Sequence, residues 1–207
     1  LALRRAVSFC ITQQNCTSVL VAMRMARATM IAQPQVGNAL VVSADQMRGC
    51  LKRYRPIADA GVHSDGACAV LLSRTHTENT VCAIRSAVDG RSFLGRLGEM
   101  EPNPNLYLLT VAMLRRTIRA AGISVSDIQW IMPHHVAQSA WLKIMALLNL
   151  PEDRLFDMNF SSKGHVFGCD PIINFADFLD RTPDASGYVV LYSTGLDGCQ
   201  AAAVIRC

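Results

Sequence analysis

Gln14-Asn15-Cys16-Thr17-Ser18 lies where an apolar run, Ala6-Val7-Ser8-Phe9-Cys10-Ile11, meets a pattern of buried-type residues at Val19, Met23, Ala26 and Met30. The first run predicts a strand and the second, at spacings of three and four, predicts a helix. A thiol at such a junction feels the positive end of the helix dipole and nearby backbone N–H groups, both of which favour thiolate. Cys16 is therefore the leading candidate nucleophile.

Outward from this junction the same alternation continues. Asn38–Ala44 predicts a strand with a continuous Val and Leu run, the mark of burial on both faces. Gly66–Leu72 predicts a second buried strand after the turn Ser64-Asp65-Gly66, and Val81–Ile84 a third. Asp89–Asn105 holds Gly90, Gly95, Gly98, Pro102 and Pro104 and reads as a loop over a surface or site entrance. Beyond it come a helix from Leu106 to about Ala121 stopped by Gly122, a strand Ile128–Met132 ended by Pro133, and helices over Gln138–Leu148 and Ile172–Leu179. A short extended piece, Leu155-Phe156-Asp157, lies between the last two. Tyr188–Ser193 and Ala201–Ile205 can close as a hairpin around Gly195-Leu196-Asp197-Gly198. The class is α/β.

The chain of 207 residues is 51% hydrophobic and 17% charged, which fits a well-buried globular protein. A formal net charge of +4 with scattered Arg and Lys argues against a nucleic-acid footprint, which would be concentrated on one element. Eight cysteines fall mostly inside apolar runs without a CxxC pair, so they read as reduced residues of a cytoplasmic protein rather than as zinc ligands or a disulfide framework. No metal site is expected. No apolar run is long enough to cross a membrane as a helix.

His134, in Pro133-His134-His135 just past a strand end, and His165, after Gly164, are placed to converge on Cys16 as imidazole partners of a nucleophile. Each alone could be structural. His135 is either a substrate contact or a core residue at the start of the next helix, while His63 and His76 fall in loops and are expected in solvent. Arg48, Arg53 and Arg55 could meet phosphates or could simply be solvated.

Asn15-Cys16-Thr17-Ser18, Ser64–Val70, Trp130-Ile131-Met132-Pro133-His134, Lys163-Gly164-His165 and Gly195-Leu196-Asp197-Gly198 follow one another in an order and spacing that resembles the ketoacyl-acyl-carrier-protein synthase III family. The resemblance covers nearly the whole chain and implies the thiolase fold, a layered αβαβα arrangement. Residues 1–78 would be the remainder of an N-terminal half carrying the nucleophile, and 79–207 the C-terminal half. It implies that Cys16 accepts an acyl group from a coenzyme A or acyl-carrier-protein thioester. It also implies that His134 assists at the thioester, that the backbone N–H groups of Cys16 and Leu196 form the oxyanion hole, and that Asp65 and Gly66 build a turn. No cofactor beyond the thioester substrate is implied.

The departures matter as much as the matches. His165 stands where the synthase III pattern has Asn, giving Cys-His-His, and His135-Val136-Ala137 replaces a polar tract. Asp197 replaces a Gly in the oxyanion-hole turn, where a carboxylate is unfavourable unless it points away. An extra imidazole suits transfer of the acyl group to a hydroxyl or amine, whose proton needs a base. The rivals are decarboxylative condensation with a malonyl thioester and a non-catalytic partner subunit. Family members begin well upstream of the nucleophile, so a missing N-terminal segment from the same or another chain is expected as a partner, together with a homodimer formed across the strand leading to Cys16.

Overall fold

The computed structural model describes residues 6–57, 60–90, 106–195 and 198–207. The helix after Cys16 is α1, Ser18–Ala32, entered through a 3-10 turn at Asn15–Thr17. Strands β1 (Asn38–Asp45) and β4 (Gly66–Ser73) form an antiparallel ribbon that pairs Ser43 with Cys68 and Asp45 with Gly66. Between them the Arg-rich segment folds into a short ribbon of β2 (Pro56–Ile57) and β3 (Gly61–Val62), which its Gly and Pro content concealed.

The second sheet has the order β5-β8-β7-β6, where β5 is Thr80–Val88, β6 Ile128–Met132, β7 Tyr188–Thr194 and β8 Cys199–Arg206. Strands β7 and β8 form the expected antiparallel hairpin, and β6 joins β7 in parallel. Alternation along the strands then sorts side chains to two faces. Val190, Tyr192, Ala202 and Val204 pack with α2 (Leu106–Ala120) and α3 (Gln138–Leu148) through Leu114, Ile118, Trp141 and Met145. Val189, Leu191, Ala201, Ala203 and Ile205 pack with Leu20 and Met23 of α1 and with Ile172 and Phe178 of α5 (Asp170–Arg181), which follows the single-turn α4 (Asn159–Ser162).

Helix α1 also meets the inner face of the ribbon through Val41, with Ala39, Cys68, Val70 and Leu72 half-buried around it. The layers therefore run helices, four-stranded sheet, helices, ribbon. Val19, Met23, Ala26 and Met30, the four positions whose spacing predicts α1, are all buried in it.

Two expectations are corrected. The ribbon is not buried on both faces: Leu40, Val42 and Leu71 are 59%, 66% and 65% exposed, because no described layer covers its outer side. Ala6–Ile11 forms no strand, since among the described residues no strand offers it a ladder, and Val7 and Phe9 lie in solvent. Most of the predicted loop before α2, residues 91–105, is outside the described residues. No described helix is long and apolar enough to cross a membrane.

Candidate active site

Cys16 sits at the centre of a tight elbow. Gln13 and Asn15 both have positive φ (59° and 46°), a region that Asn tolerates better than most residues and that side chains visit only when the surroundings hold them there. The holding groups are local hydroxyls and one distant one. Thr17 Oγ1 donates to the carbonyl of Gln14 and Ser18 Oγ to that of Asn15, each at 2.6 Å, while Ser193 Oγ on β7 donates to the carbonyl of Cys16 at 2.6 Å. Space is rationed as well. A Cβ on Gly168 would lie 3.1 Å from the Cys16 carbonyl oxygen, and one on Gly195 would overlap the Asn15 side chain. Gly195 thus lets the β7–β8 turn approach the Cys16 elbow. Leu196, which the family resemblance implies for the oxyanion hole, and Asp197 fall outside the described residues.

His165 is the imidazole in contact with Cys16: its Nε2 is 3.5 Å from Cys16 Sγ. Its backbone is pinned by two bonds to the β3 segment, His165 N–H to the Val62 carbonyl and Ser64 N–H to the His165 carbonyl, both 2.8 Å. Gly164 makes this close approach possible. At φ +70° it turns the chain where a Cβ would strike the Val62 carbonyl oxygen and Ser64 Oγ.

The other ring nitrogen, Nδ1, is 2.5 Å from Oδ2 of Asp170, a fully buried carboxylate at the start of α5. Asp170 also accepts the N–H of His135 at 2.7 Å and that of Val166 at 2.6 Å. Burial works against charge on both partners, but their mutual hydrogen bond wins. The carboxyl is held below the ordinary aspartate range and the His165 ring is lifted to about 9, with Cys16 adding to the lift. At neutral pH the chain Cys16, His165, Asp170 is thus set up around an imidazolium. The sequence marks Cys16 and His165 as candidates but not Asp170, because an Asp in the first turn of a helix is the ordinary complement to the helix dipole. Asp170 five residues after His165 was the available signal.

His134 stands beside His165, ring centres 6.3 Å apart, and packs edge-on against Trp141 at 5.6 Å. Part of its surface is exposed, yet its Nδ1 is sealed and has no hydrogen-bond partner among the described residues. Burial first, then the positive charge on His165, push this ring down to about 3. A ring so held stays neutral at physiological pH. It can exchange hydrogen bonds with a substrate but is too weakly basic to take a proton from a hydroxyl or amine.

The remaining expectations divide. His135, considered as a substrate contact, is 1% exposed with Nδ1 2.6 Å from the Gly164 carbonyl and Nε2 2.8 Å from Asn174 Oδ1, so its position is the core alternative. Asn174 extends the lattice, donating to the Pro133 carbonyl and accepting from Asn159. His63 is half-buried rather than fully in solvent. It stacks on Phe167 at 5.1 Å and lies 5.4 Å from the His165 ring, brought there by the β2–β3 ribbon. His76 is exposed as expected. One guanidinium nitrogen of Arg55, Nη2, donates to both carboxylate oxygens of Asp65 at 2.8 and 2.7 Å, which fixes the turn before β4 and supports the structural reading of Asp65. A cavity of about 410 Å³ opens onto Cys16, with Ser43, Asp45 and Phe167 among its walls. Burial raises the Asp45 carboxyl, with His165 opposing. Among the described residues no group of three or more His, Cys, Asp or Glu side chains is placed to hold a metal ion.

Comparison with known proteins agrees with this architecture. The profile of 3-oxoacyl-[acyl-carrier-protein (ACP)] synthase III matches residues 12–90 and that of its C-terminal domain residues 118–207. Similar solved structures include ChlB3, an acyltransferase, at 21% identity and TM-score 0.79. The 3-oxoacyl-(acyl carrier protein) synthase III of Pseudomonas aeruginosa PAO1 follows at 17% and 0.76, and that of Aquifex aeolicus VF5 at 16% and 0.75. Each alignment covers 93% of this chain and 65% of the other, so the chain spans about two thirds of those proteins' length. At these identities the likeness establishes the fold. A search of curated proteins gave no match.

Proposed function

The chain belongs to the 3-oxoacyl-[acyl-carrier-protein] synthase III family, and from that premise we propose that it transfers an acyl group from a coenzyme A or acyl-carrier-protein thioester, through an acyl-Cys16 intermediate, to a hydroxyl or amine. The observation that carries this reading is the continuous contact from Cys16 Sγ through His165 to Asp170, 3.5 Å and then 2.5 Å. The Cys16 thiolate attacks the thioester carbonyl, the tetrahedral oxyanion is held by backbone N–H groups including that of Cys16, and the departing thiolate takes the proton of His165. Acylation removes the negative sulfur that had helped to lift His165. The ring, still oriented by Asp170, can then accept a proton from the incoming hydroxyl or amine. Neutral His134 serves as a hydrogen-bond partner for the thioester.

Decarboxylative condensation is the second reading, favoured by that same neutral His134, whose lack of charge suits a donor to a malonyl thioester carbonyl. In either reading residues 1–78 and 79–207 act as the two halves of a thiolase-like unit, and the enzyme works as a cytoplasmic homodimer. Exposure to a panel of acyl thioesters, followed by intact-mass measurement, should reveal an adduct that disappears in Cys16→Ala. An adduct retained in that variant removes Cys16 as the nucleophile. Release of carbon dioxide from malonyl thioester would replace the transfer reading with condensation.

A further inference from the structure

His165 rests against two further rings that the proposed chemistry does not use. His63 and Phe167 lie face to face, ring centres 5.1 Å apart and planes 20° from parallel, and the His165 ring is 5.4 Å from each, tilted at 47° and 42°. Both rings are held in place by their own backbone. Phe167 has φ +50°, a region that bulky side chains rarely enter, and it lines the Cys16 cavity. His63 is carried in by a bridge between its segment and that of His165, and its Nδ1 lies 3.1 Å and 3.2 Å from the carbonyls of Tyr54 and Arg55. Carbonyls only accept, so Nδ1 carries a proton and donates it. Two acceptors on one nitrogen fix the plane of the His63 ring. Between Cys16 and Asp170, His165 carries a positive charge at neutral pH and is 4% exposed. A cation within about 6 Å of an aromatic centroid is attracted by the ring quadrupole, most strongly where water is excluded.

We propose that the His63–Phe167 stack is an aromatic platform that stabilises the protonated His165 ring by cation–π attraction and keeps it aligned between Cys16 and Asp170, which makes His63 a positioning residue of this site. Asp170 holds one edge of the His165 ring through Nδ1, and Cys16 meets the other through Nε2. Contacts at two edges leave a ring free to rock about the line between them, and a pair of rings packed against it stops that motion. The other groups around His165 suit a positive ring. Cys16 and Asp45 are drawn to it, and His134, 6.3 Å away, stays neutral. His135 reaches the second oxygen of Asp170, and Arg55, whose guanidinium donates to the His63 carbonyl, is balanced by Asp65. The platform acts on the Cys16, His165 and Asp170 contacts alone, whatever group Cys16 accepts.

The test separates the ring of His63 from its hydrogen bond. His63→Phe keeps a ring on Phe167 and loses the donor, while His63→Asn keeps a donor at the position of Nδ1 and loses the ring. In the full chain, the rate of Cys16 alkylation by iodoacetamide is followed against pH. The His165 titration is read beside it by NMR of ring-labelled histidine, in a chain with five histidines. Losing a contact that favours the charged ring lowers its pKa. His63→Asn should therefore move the titration, and the upper inflexion of the rate profile with it, down from about 9 by roughly half a unit to one unit. His63→Phe should match the parent in both. No shift in His63→Asn, or an equal shift in His63→Phe, overturns the platform and leaves His63 as a strut of the β2–β3 ribbon. Should His63→Phe not fold, Phe167→Gly decides. Glycine adopts φ +50° freely, so the backbone is kept, the ring is lost and the same downward shift is expected; an unmoved titration overturns the platform. No acyl substrate enters any of these measurements, so their failure is distinguishable from failure of the acyl-transfer reading.

Discussion

Strand β7 carries Val189-Val190-Leu191 and strand β1 carries Leu40-Val41-Val42, nearly the same apolar triplet with opposite fates. All three residues of β7 are buried, whereas in β1 only Val41 is, with Leu40 and Val42 open to solvent. Composition is the same in the two places and neighbours are not. β7 lies between β8 and β6 with helices on both faces, while β1 has a partner on one edge and α1 on one side. An apolar run reports what a strand could bury, and the packing partners decide what it does bury.

The sharpest way to break this comparison is to put the same charge into both strands. Val190→Asp should leave an unpaired carboxylate in a sealed core and cost ~3–5 kcal/mol, a large fraction of a typical domain's stability. Val42→Asp should change stability by no more than about 0.5 kcal/mol. Denaturant melts of the two variants decide the matter, and a large cost for Val42→Asp would show that the outer face of the ribbon is covered in solution.

A second contrast sets the buried carboxylate of one region against the half-exposed one of the other. Asp170→Asn should slow Cys16 acylation ~10²- to 10⁴-fold by removing the acceptor that orients and charges His165. It should also flatten a pH dependence of stability whose sign follows from the His165 shift. A ring raised from 6.5 to about 9 contributes stability that is fully present below 6.5 and lost as pH rises toward 9. Thermal melts across that interval should show the loss in the parent chain and not in Asp170→Asn. The smallest effect belongs to Asp65→Asn. The Arg55–Asp65 pair, 26% and 41% exposed at its side chains, should yield about 1 kcal/mol or less by the same melts.

Much of the architecture was legible because periodicity is local. The buried stripe of α1, the extent of α3 and the terminal hairpin all follow from spacing and turn residues. What could not be read was which elements cover which. That is why both ribbon strands looked doubly buried and Ala6–Ile11 looked like a strand. The site divides along the same line. Cys16 and His165 are marked by their own surroundings, a helix entry and a glycine turn. Asp170 is marked only by where α5 begins in space, and His63 only by a ribbon whose Gly and Pro residues read as loop.

The hydrogen bond from Ser193 to the Cys16 carbonyl joins residues 177 positions apart, and Asp170 lies 154 positions beyond the nucleophile. During synthesis the thiol therefore leaves the ribosome long before the groups that arm it. A nascent or half-folded chain carries Cys16 without its contacts to His165 and Ser193. On the acyl-transfer reading proposed above, reactivity toward acyl thioesters arrives only once α5 and β7 have packed around the thiol.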